Sequence, residues 1–331
     1  MGNLSEIGSQ DSYPSNLGDK NFDITASNGD NLLLDHVFTW VVRGCAVITV
    51  AVLFWMTLII FQEAKPAINK FGLGFLSSQD WDVPNLIFGA LPYIYGTLVT
   101  SIIALLLAMP IGLAVALITS ESFLPLWMRS PLAFIIELIA AIPSVIIGLW
   151  GIFVLIPFLQ PLQQWLFKTF QWLPLFSTES FGPSVFVAGI ILAIMILPTM
   201  ASISREVLLV IPKELRSASM ALGATRWETI FRVLLPQGVS GIVGGSMLAL
   251  GRALGETMAV TMVIGNSSVI SFSLLDPGNT IPAVLANEFA EAQDKLHIGA
   301  LTYLALILFA VTLIVNIAAL GLVKLIGSNQ K

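Results

Sequence analysis

The sequence predicts an all-α integral membrane protein whose chain crosses the bilayer six times. Of the 331 residues, 56% are hydrophobic and only 11% are charged, whereas a soluble domain carries roughly 25% charged residues. The chain also offers six apolar stretches close to the length of about 20 residues that a bilayer-crossing helix needs. No apolar run has the length and position of a signal peptide, so we expect the membrane to be the permanent location.

The predicted membrane domain, residues 37–326, lies between two polar tails. Residues 1–36 are rich in Ser, Asn, Asp and Gly and are too polar to bury a core, so we expect a disordered tail. Residues 327–331 form a short C-terminal tail. The predicted spans are about 45–61, 93–118, 132–158, 184–203, 240–263 and 298–326. Segment 159–182 mixes aromatic and polar residues, which is typical of an amphipathic element at the membrane interface.

The distribution of Lys and Arg predicts the orientation, because cytoplasmic loops carry an excess of both. Six spans put both termini on one side. If that side is the cytoplasm, the cytoplasmic basic residues are Lys20, Arg43, Arg129, Arg205, Lys213, Arg216, Arg226, Arg232, Lys324 and Lys331. The outer segments then carry Lys65, Lys70, Lys168 and Lys295. We therefore expect both termini, and the loop at about 204–239, to be cytoplasmic.

The loop between the fourth and fifth spans, at about 204–239, predicts a small folded unit. Residues 213–222 are mostly good helix formers, and Gly223 can end that helix in a left-handed cap. Thr225 can cap the next helix, and Glu228 three residues later completes a capping box. We expect two short helices around a glycine turn.

The first of these helices has a shallow apolar face made by Ala218, Ala221 and Leu222. Such a face suits insertion into a groove on another protein. The alternative is that the loop packs against its own membrane domain, and the residues alone leave both open.

This loop resembles the EAA loop of ABC importer permeases. The resemblance rests on Gly223, followed ten residues later by Val233 and then by Leu235 and Pro236. At the three positions that name the motif the chain has Ser217, Ala218 and Ser219, so the first-position glutamate is absent. The resemblance implies a coupling helix that sits in a cleft of a cytoplasmic ATPase. The coupling residues would then be Ala218, Ala221, Leu222, Gly223, Val233, Leu235 and Pro236.

Five longer segments carry a second resemblance. They are FGLGFL at 71–76, FGALPYIYGTLVTS at 88–101, IELIAAIPSVIIGLWG at 136–151, RALGETMAVTMVIGN at 252–266 and PGNTIPAVLANEFAEA at 277–292. Together they resemble the C-type permease subunit of the bacterial phosphate ABC importer, the Pst system. The resemblance implies a six-span, type I importer permease in the bacterial inner membrane. Its implied partners are a second permease, a cytoplasmic ABC ATPase dimer, an extracytoplasmic phosphate-binding protein and inorganic phosphate.

Three ionisable residues, Glu137, Arg252 and Glu256, fall inside predicted spans. Each charge at a helix centre costs about 2.5 to 3.5 kcal/mol, so all three should face protein or water. On a continuous helix Arg252 and Glu256 are about 40° apart and can pair. One reading is an internal salt bridge that holds the helix in register. The other is a translocation path in which the guanidinium of Arg252 binds phosphate oxygens. Glu256 would then orient that guanidinium or compete with phosphate for it, and Glu137 would be a further residue of the path.

The same predicted helix carries two stripes of small residues, which let helix backbones approach closely. They are Gly241, Gly245 and Ala249, and Gly251, Gly255 and Ala259. Ordinary helix packing explains them, although two stripes also fit a helix at the centre of a bundle that contacts a second permease.

The chain lacks the motifs of a nucleotide site or a metal centre. It has no G-x-x-x-x-G-K-[ST] and no H-E-x-x-H, its one cysteine, Cys45, allows no intrachain disulfide, and His36 and His297 are isolated at span edges. We therefore expect no cofactor, metal or nucleic-acid partner and no catalytic activity in this chain. Two alternatives remain: an ion-coupled secondary transporter, for which no internal repeat is evident, and a non-transporting membrane sensor or scaffold.

Overall fold

The structure, a computed structural model, describes residues 32–121 and 123–328. Within these ranges the regular structure is helical, apart from an isolated antiparallel bridge between Asp82 and Ile87. The predicted disordered tail falls mainly on residues 1–31, outside the described part, but helix α1 already begins at Leu32. At the other end, the last helix runs to Ser328, and residues 329–331 of the predicted C-terminal tail lie outside the described part.

The helices follow one another with short connections. They are α1 (Leu32–Phe71), α2 (Leu91–Ser120), α3 (Leu126–Ala140), α4 (Ser144–Trp150), α5 (Ile156–Phe170), α6 (Val185–Val210), α7 (Lys213–Ala221), α8 (Arg226–Thr229), α9 (Leu235–Gly255), α10 (Met258–Val263), α11 (Ile281–Glu288) and α12 (Lys295–Ser328). Two π-helical segments, Gly151–Leu155 and Ile230–Leu234, join α4 to α5 and α8 to α9 without a break in the helical path.

Six helical runs are long and apolar enough to cross a membrane, which confirms the predicted number. They are Asp35–Leu76, Leu91–Ser120, Ser144–Phe170, Val185–Val210, Arg226–Gly255 and Lys295–Gly321. In residues 35–56, which form the first part of α1, almost every side chain is exposed. Such an exposed apolar surface is suited to contact with membrane lipid. The expectation that both termini are cytoplasmic stays a prediction.

The third span is displaced from its predicted position. The chain from Leu132 does not continue as one helix to Phe158, because α3 ends at Ala140 and α4 begins after Pro143. Proline has no backbone N–H and disfavours a helical conformation in the residue before it, so the break falls there. The spanning run is 144–170 instead. The first half of the expected interfacial element at 159–182 is therefore the second half of that helix, which ends at Phe170.

The fifth span is shorter than predicted at its C-terminal end. The helix that begins at Arg226 ends at Gly255, and Glu256 takes an extended conformation with φ −71° and ψ 126°. The chain then turns and starts the separate helix α10 at Met258. The interval 240–263 is thus two helices with a bend between them.

The central core is formed by α2, α6 and α9. Glycines permit the close approach: a Cβ on Gly241 would lie 2.5 Å from the side chain of Val207, and one on Gly245 would lie 2.7 Å from that of Ile203. The first stripe of small residues therefore packs against α6, as the packing interpretation predicts. The second stripe is not continuous, because the bend at Glu256 separates Gly251 and Gly255 from Ala259.

A second core joins the start of α2, α11 and α12 to the segment that follows α1. It contains a polar group in which Glu288 Oε2 accepts a hydrogen bond from Trp81 Nε1 (3.0 Å) and lies 2.9 Å from His297 Nε2. Phe88 stacks on the imidazole with ring centroids 5.3 Å apart. His297 is thus a buried, hydrogen-bonded residue, consistent with a structural role.

Candidate functional site

The folded unit predicted between the fourth and fifth spans is present, with one correction. Helix α7 ends at Ala221, and Gly223 follows with φ +87°, the left-handed conformation that favours glycine. Thr225 Oγ1 then accepts from the backbone N–H of Glu228 (3.3 Å), while Glu228 Oε2 accepts from the N–H of Thr225 (2.8 Å), which completes the capping box. The second helix is not short, because it continues through the π-helical segment into α9.

The predicted coupling residues fall into an exposed group and an anchoring group. Ala218, Ala221, Leu222 and Gly223 are exposed, and 90% of the Leu222 surface is accessible. The apolar face of α7 is therefore not covered by the described residues of this chain. The anchoring group lies on the next helix and consists of Val233 and Leu235, which are half-buried, whereas Pro236 on that helix is exposed.

Arg216, on the opposite side of α7 from this exposed group, fastens the helix to the membrane helices. Its guanidinium donates to Glu121 Oε1 from Nε (3.1 Å) and Nη2 (2.9 Å). It also donates to the carbonyl oxygens of Ile211 and Leu208, both at 2.7 Å. Because the last carbonyls of a helix have no partner within it, Arg216 caps the end of α6 while it pairs with the end of α2. We call this set the Arg216 clamp.

The Arg216 clamp could not be predicted from the sequence. Glu121 lies 95 residues away along the chain, and single-sequence patterns carry no signal for such a pairing.

Arg252 lies on an open face of α9, near the end of the fifth span. Its Nη1 donates to Thr199 Oγ1 of α6 at 3.2 Å, and the side chain is exposed. Two glycines of the second stripe, Gly251 and Gly255, share this face, and a Cβ on either would meet no atom within 4 Å. Leu248, one turn earlier, is 65% exposed. The guanidinium therefore retains donors for a ligand at a surface that no described residue covers.

The expected pairing of Arg252 with Glu256 is absent. Among the described residues the ion pairs within 4.0 Å are Arg216 with Glu121 and His297 with Glu288. The pairing assumed a continuous helix, whereas the backbone bends at Glu256. The Glu256 Oε1 atom instead accepts from the N–H of Ala259 at 3.4 Å, in the first turn of α10. A carboxylate is stabilised there by the unpaired N–H groups of the helix start.

Glu137 lies on a different side of α6 from Arg252. It lines a cavity with Arg129, Arg205 and Leu209, whereas Thr199, Ile203 and Val207 of α6 face α9. At 100° per residue, the face that carries Arg205 and Leu209 is roughly 130° around the axis from the face that carries Thr199. The structure thus does not bring the three ionisable residues together.

The described residues do not form a group suited to a metal ion. Within residues 32–121 and 123–328, no group of three or more His, Cys, Asp and Glu side chains could hold one.

Comparison with known families and relatives gives consistent results. A family model described as "Binding-protein-dependent transport system inner membrane component" matches residues 108–329. The phosphate transport system permease protein PstC of Mesorhizobium japonicum is 43% identical over 288 residues, which covers 86% of this chain and 88% of that protein. PstC of Pasteurella multocida is 44% identical over 265 residues, covering 78% and 82%.

Solved structures of ABC importers share the fold. A bacterial ABC transporter involved in the import of the acidic polysaccharide alginate matches with a TM-score of 0.56 and 17% identity, covering 87% of this chain and 98% of that one. An inward-facing MetNI methionine ABC transporter matches with a TM-score of 0.53 and 16% identity, covering 74% and 99%. Six apolar helices in this fold make the protein a multi-pass inner-membrane protein. The chain belongs to the family of binding-protein-dependent transport system inner membrane components, and within it to the PstC phosphate transport system permeases.

Proposed function

We propose that this chain is the permease subunit of an ATP-driven importer of inorganic phosphate and forms half of its translocation path. The main support is the exposed Arg252 on the open face of the spanning helix α9, in a chain 43% identical to a phosphate permease. The subunit itself hydrolyses no ATP and holds no cofactor. A separate cytoplasmic ATPase dimer supplies the energy.

The open face of α9 is where a second, similar permease packs. Gly244, Gly251 and Gly255 each have open space where a side chain would lie, and Leu248 is exposed between them. Small residues on one helix face allow a neighbouring helix to approach closely. If a second permease packs there, Arg252 lies at the boundary between the two permeases, on the path of the phosphate ion.

Arg252 binds phosphate in transit. A guanidinium offers paired, planar donors that match two phosphate oxygens, and the hydrogen bond to Thr199 fixes one edge of the group (3.2 Å). Glu256, at the bend four residues later, places a negative charge near the same end of α9. Because transport requires release as well as binding, this charge lowers the affinity of the site for the anion.

Helix α7 transmits the movement of the ATPase. Its exposed face, with Ala218, Ala221 and Leu222, inserts into a groove of the ATPase. Arg216 ties the other side of α7 to the ends of α2 and α6, at distances of 2.7 to 3.1 Å. A displacement of α7 therefore moves two central helices directly. This arrangement puts α7 and both termini in the cytoplasm and leaves the other surface for a phosphate-binding protein.

The test is reconstitution of the complex co-purified with this chain into liposomes, followed by uptake of radiolabelled phosphate. We expect uptake only when ATP is present on the side of the ATPase and binding protein is present on the other. An ATPase variant with a disabled nucleotide site, which assembles normally, is the matched control and should abolish uptake.

Two outcomes would contradict the proposal. Phosphate uptake driven by an imposed proton or sodium gradient, without an ATPase, would establish an ion-coupled secondary transporter. Stable association with the other components but no phosphate flux under any condition would establish a sensor or scaffold.

A further inference from the structure

A cavity of about 510 Å³ lies between the C-terminal end of α2, helix α3 and the second half of α6. We call it the α3 cavity. Its polar lining consists of Thr119, Arg129, Ser130, Glu137 and Arg205. The volume is within the range of about 300 to 1,000 Å³ that is usual for small-molecule sites. Neither Arg252 nor α7 contributes to its lining, so the cavity is distinct from the sites described above.

The two arginines of the α3 cavity keep unused hydrogen-bond donors. The Nε–H of Arg205 is buried and has no hydrogen-bond partner among the described residues. Arg129 donates its Nε–H to the carbonyl oxygen of Leu124 at 2.9 Å, which fixes the guanidinium and leaves its two Nη groups for another acceptor. Buried N–H groups are rarely left without a partner in native proteins, so Arg205, which lines the cavity, has donor capacity that the described residues do not use.

Glu137 does not satisfy these donors. It lines the cavity beside Arg205, but the ion pairs within 4.0 Å in the described part of the chain do not include it. Two guanidinium groups and one carboxylate leave the cavity with an excess of positive charge. An oxyanion that accepts from both arginines at once removes that excess, and guanidinium groups match the oxygens of phosphate in paired geometry.

The position of the cavity indicates which anions reach it. Arg129 and Arg205 belong to segments predicted to face the cytoplasm, and basic pockets between membrane helices on that side bind anionic head groups. The apolar side chains of Phe134 and Leu138 on α3 are 63% and 55% exposed, so α3 presents a lipid-compatible surface beside the opening. Free phosphate in the cytoplasm reaches the same side.

We propose that the α3 cavity binds a phosphate group through Arg129 and Arg205, supplied by an anionic phospholipid or by inorganic phosphate. Glu137 limits the affinity of the site by repelling the anion. The inference does not depend on the proposed transport function, because it rests on residues on a different side of α6 from Arg252.

The experiment uses the purified full-length protein in phosphatidylcholine nanodiscs. In one arm, phosphatidylglycerol replaces part of the lipid, and the lipid retained by the protein is measured by native mass spectrometry. In the other arm, binding of radiolabelled inorganic phosphate is measured in phosphatidylcholine alone, with every protein carrying Arg252→Gln so that Arg252 contributes no binding. Selective retention of phosphatidylglycerol identifies a lipid site, and saturable binding of inorganic phosphate in the Arg252→Gln background identifies a site for the free anion.

The variants have opposite expected effects. Arg205→Gln and Arg129→Gln should each weaken binding about tenfold or more, as expected for loss of a charged hydrogen bond, whereas Glu137→Gln should strengthen it severalfold. Arg226→Gln, an exposed arginine outside the cavity, is the matched control and should bind as the wild type does. The proposal is overturned if the wild-type protein retains neither probe, if Arg205→Gln binds as well as the wild type, or if Glu137→Gln weakens binding.

Discussion

Replacement of Arg216 by Met should release α7 from the membrane helices. Arg216 and Glu121 are only 17% and 15% exposed at their side chains, and removal of one partner from a buried ion pair costs about 3 to 5 kcal/mol. Because both side chains are partly exposed, water can solvate Glu121 when Arg216 is removed. The expected loss of free energy is therefore near the lower end of that range, at about 3 kcal/mol. Since 1.4 kcal/mol is a factor of ten, the population with α7 detached should rise roughly 100-fold.

Hydrogen exchange of the backbone amides of α7 measures this population in the purified complex. Arg216→Met should accelerate exchange across residues 213–221 roughly 100-fold, and phosphate uptake should fall while the ATPase still hydrolyses ATP. Arg226→Met is the control, because Arg226 is exposed and donates no side-chain hydrogen bond to a described residue. Unchanged exchange in Arg216→Met, or equal acceleration in the control, would refute the Arg216 clamp.

Three further substitutions test local features of the coupling unit and of α9. Gly223→Val should destabilise the turn by about 1 to 2 kcal/mol and reduce coupling, because the backbone φ of residue 223 is +87°, a left-handed conformation that is costly for a residue with a side chain. Gly223→Asn should be tolerated in both uptake and exchange assays. Thr225→Ala removes the capping box and should cost about 1 kcal/mol in helix stability, read out as faster amide exchange at 226–229. Gly245→Val places a Cβ 2.7 Å from the side chain of Ile203 and should lower the stability of the subunit by about 1 to 3 kcal/mol. Gly244→Val should preserve that stability but weaken the association of the two permeases.

The number of spans could be predicted from the sequence because each span contains a long, mostly apolar stretch, which is a property of the local composition. The position of the third span could not. Helix α5 buries Gln163, whose side-chain oxygen accepts from Ser180 Oγ (2.6 Å) and whose Nε2 donates to Ser184 Oγ (3.1 Å). Polar residues satisfied by such distant partners gave this half of the span the appearance of an interfacial segment.

For the functional residues too, features determined by neighbouring residues could be predicted from the sequence, and features determined by distant contacts could not. The turn at Gly223 and the capping box of Thr225 and Glu228 are determined by neighbours within three residues, so the sequence predicted both. Of the two interpretations of Arg252 and Glu256, the salt bridge is not formed, because the chain bends after Gly255 and no proline in the sequence signals that bend. The sequence also suggested no link between Arg216 and Glu121, since tertiary packing alone brings them together.

Phosphate uptake by Arg252 variants shows whether Arg252 binds phosphate on the translocation path. In the reconstituted complex, Arg252→Gln should abolish ATP-driven phosphate uptake, Arg252→Lys should retain a small fraction of it, and co-purification with the ATPase should be unchanged. Arg232→Gln, a change in the same helical run outside the path, should transport normally. Normal phosphate uptake by Arg252→Gln, in a complex of normal composition, would contradict the account.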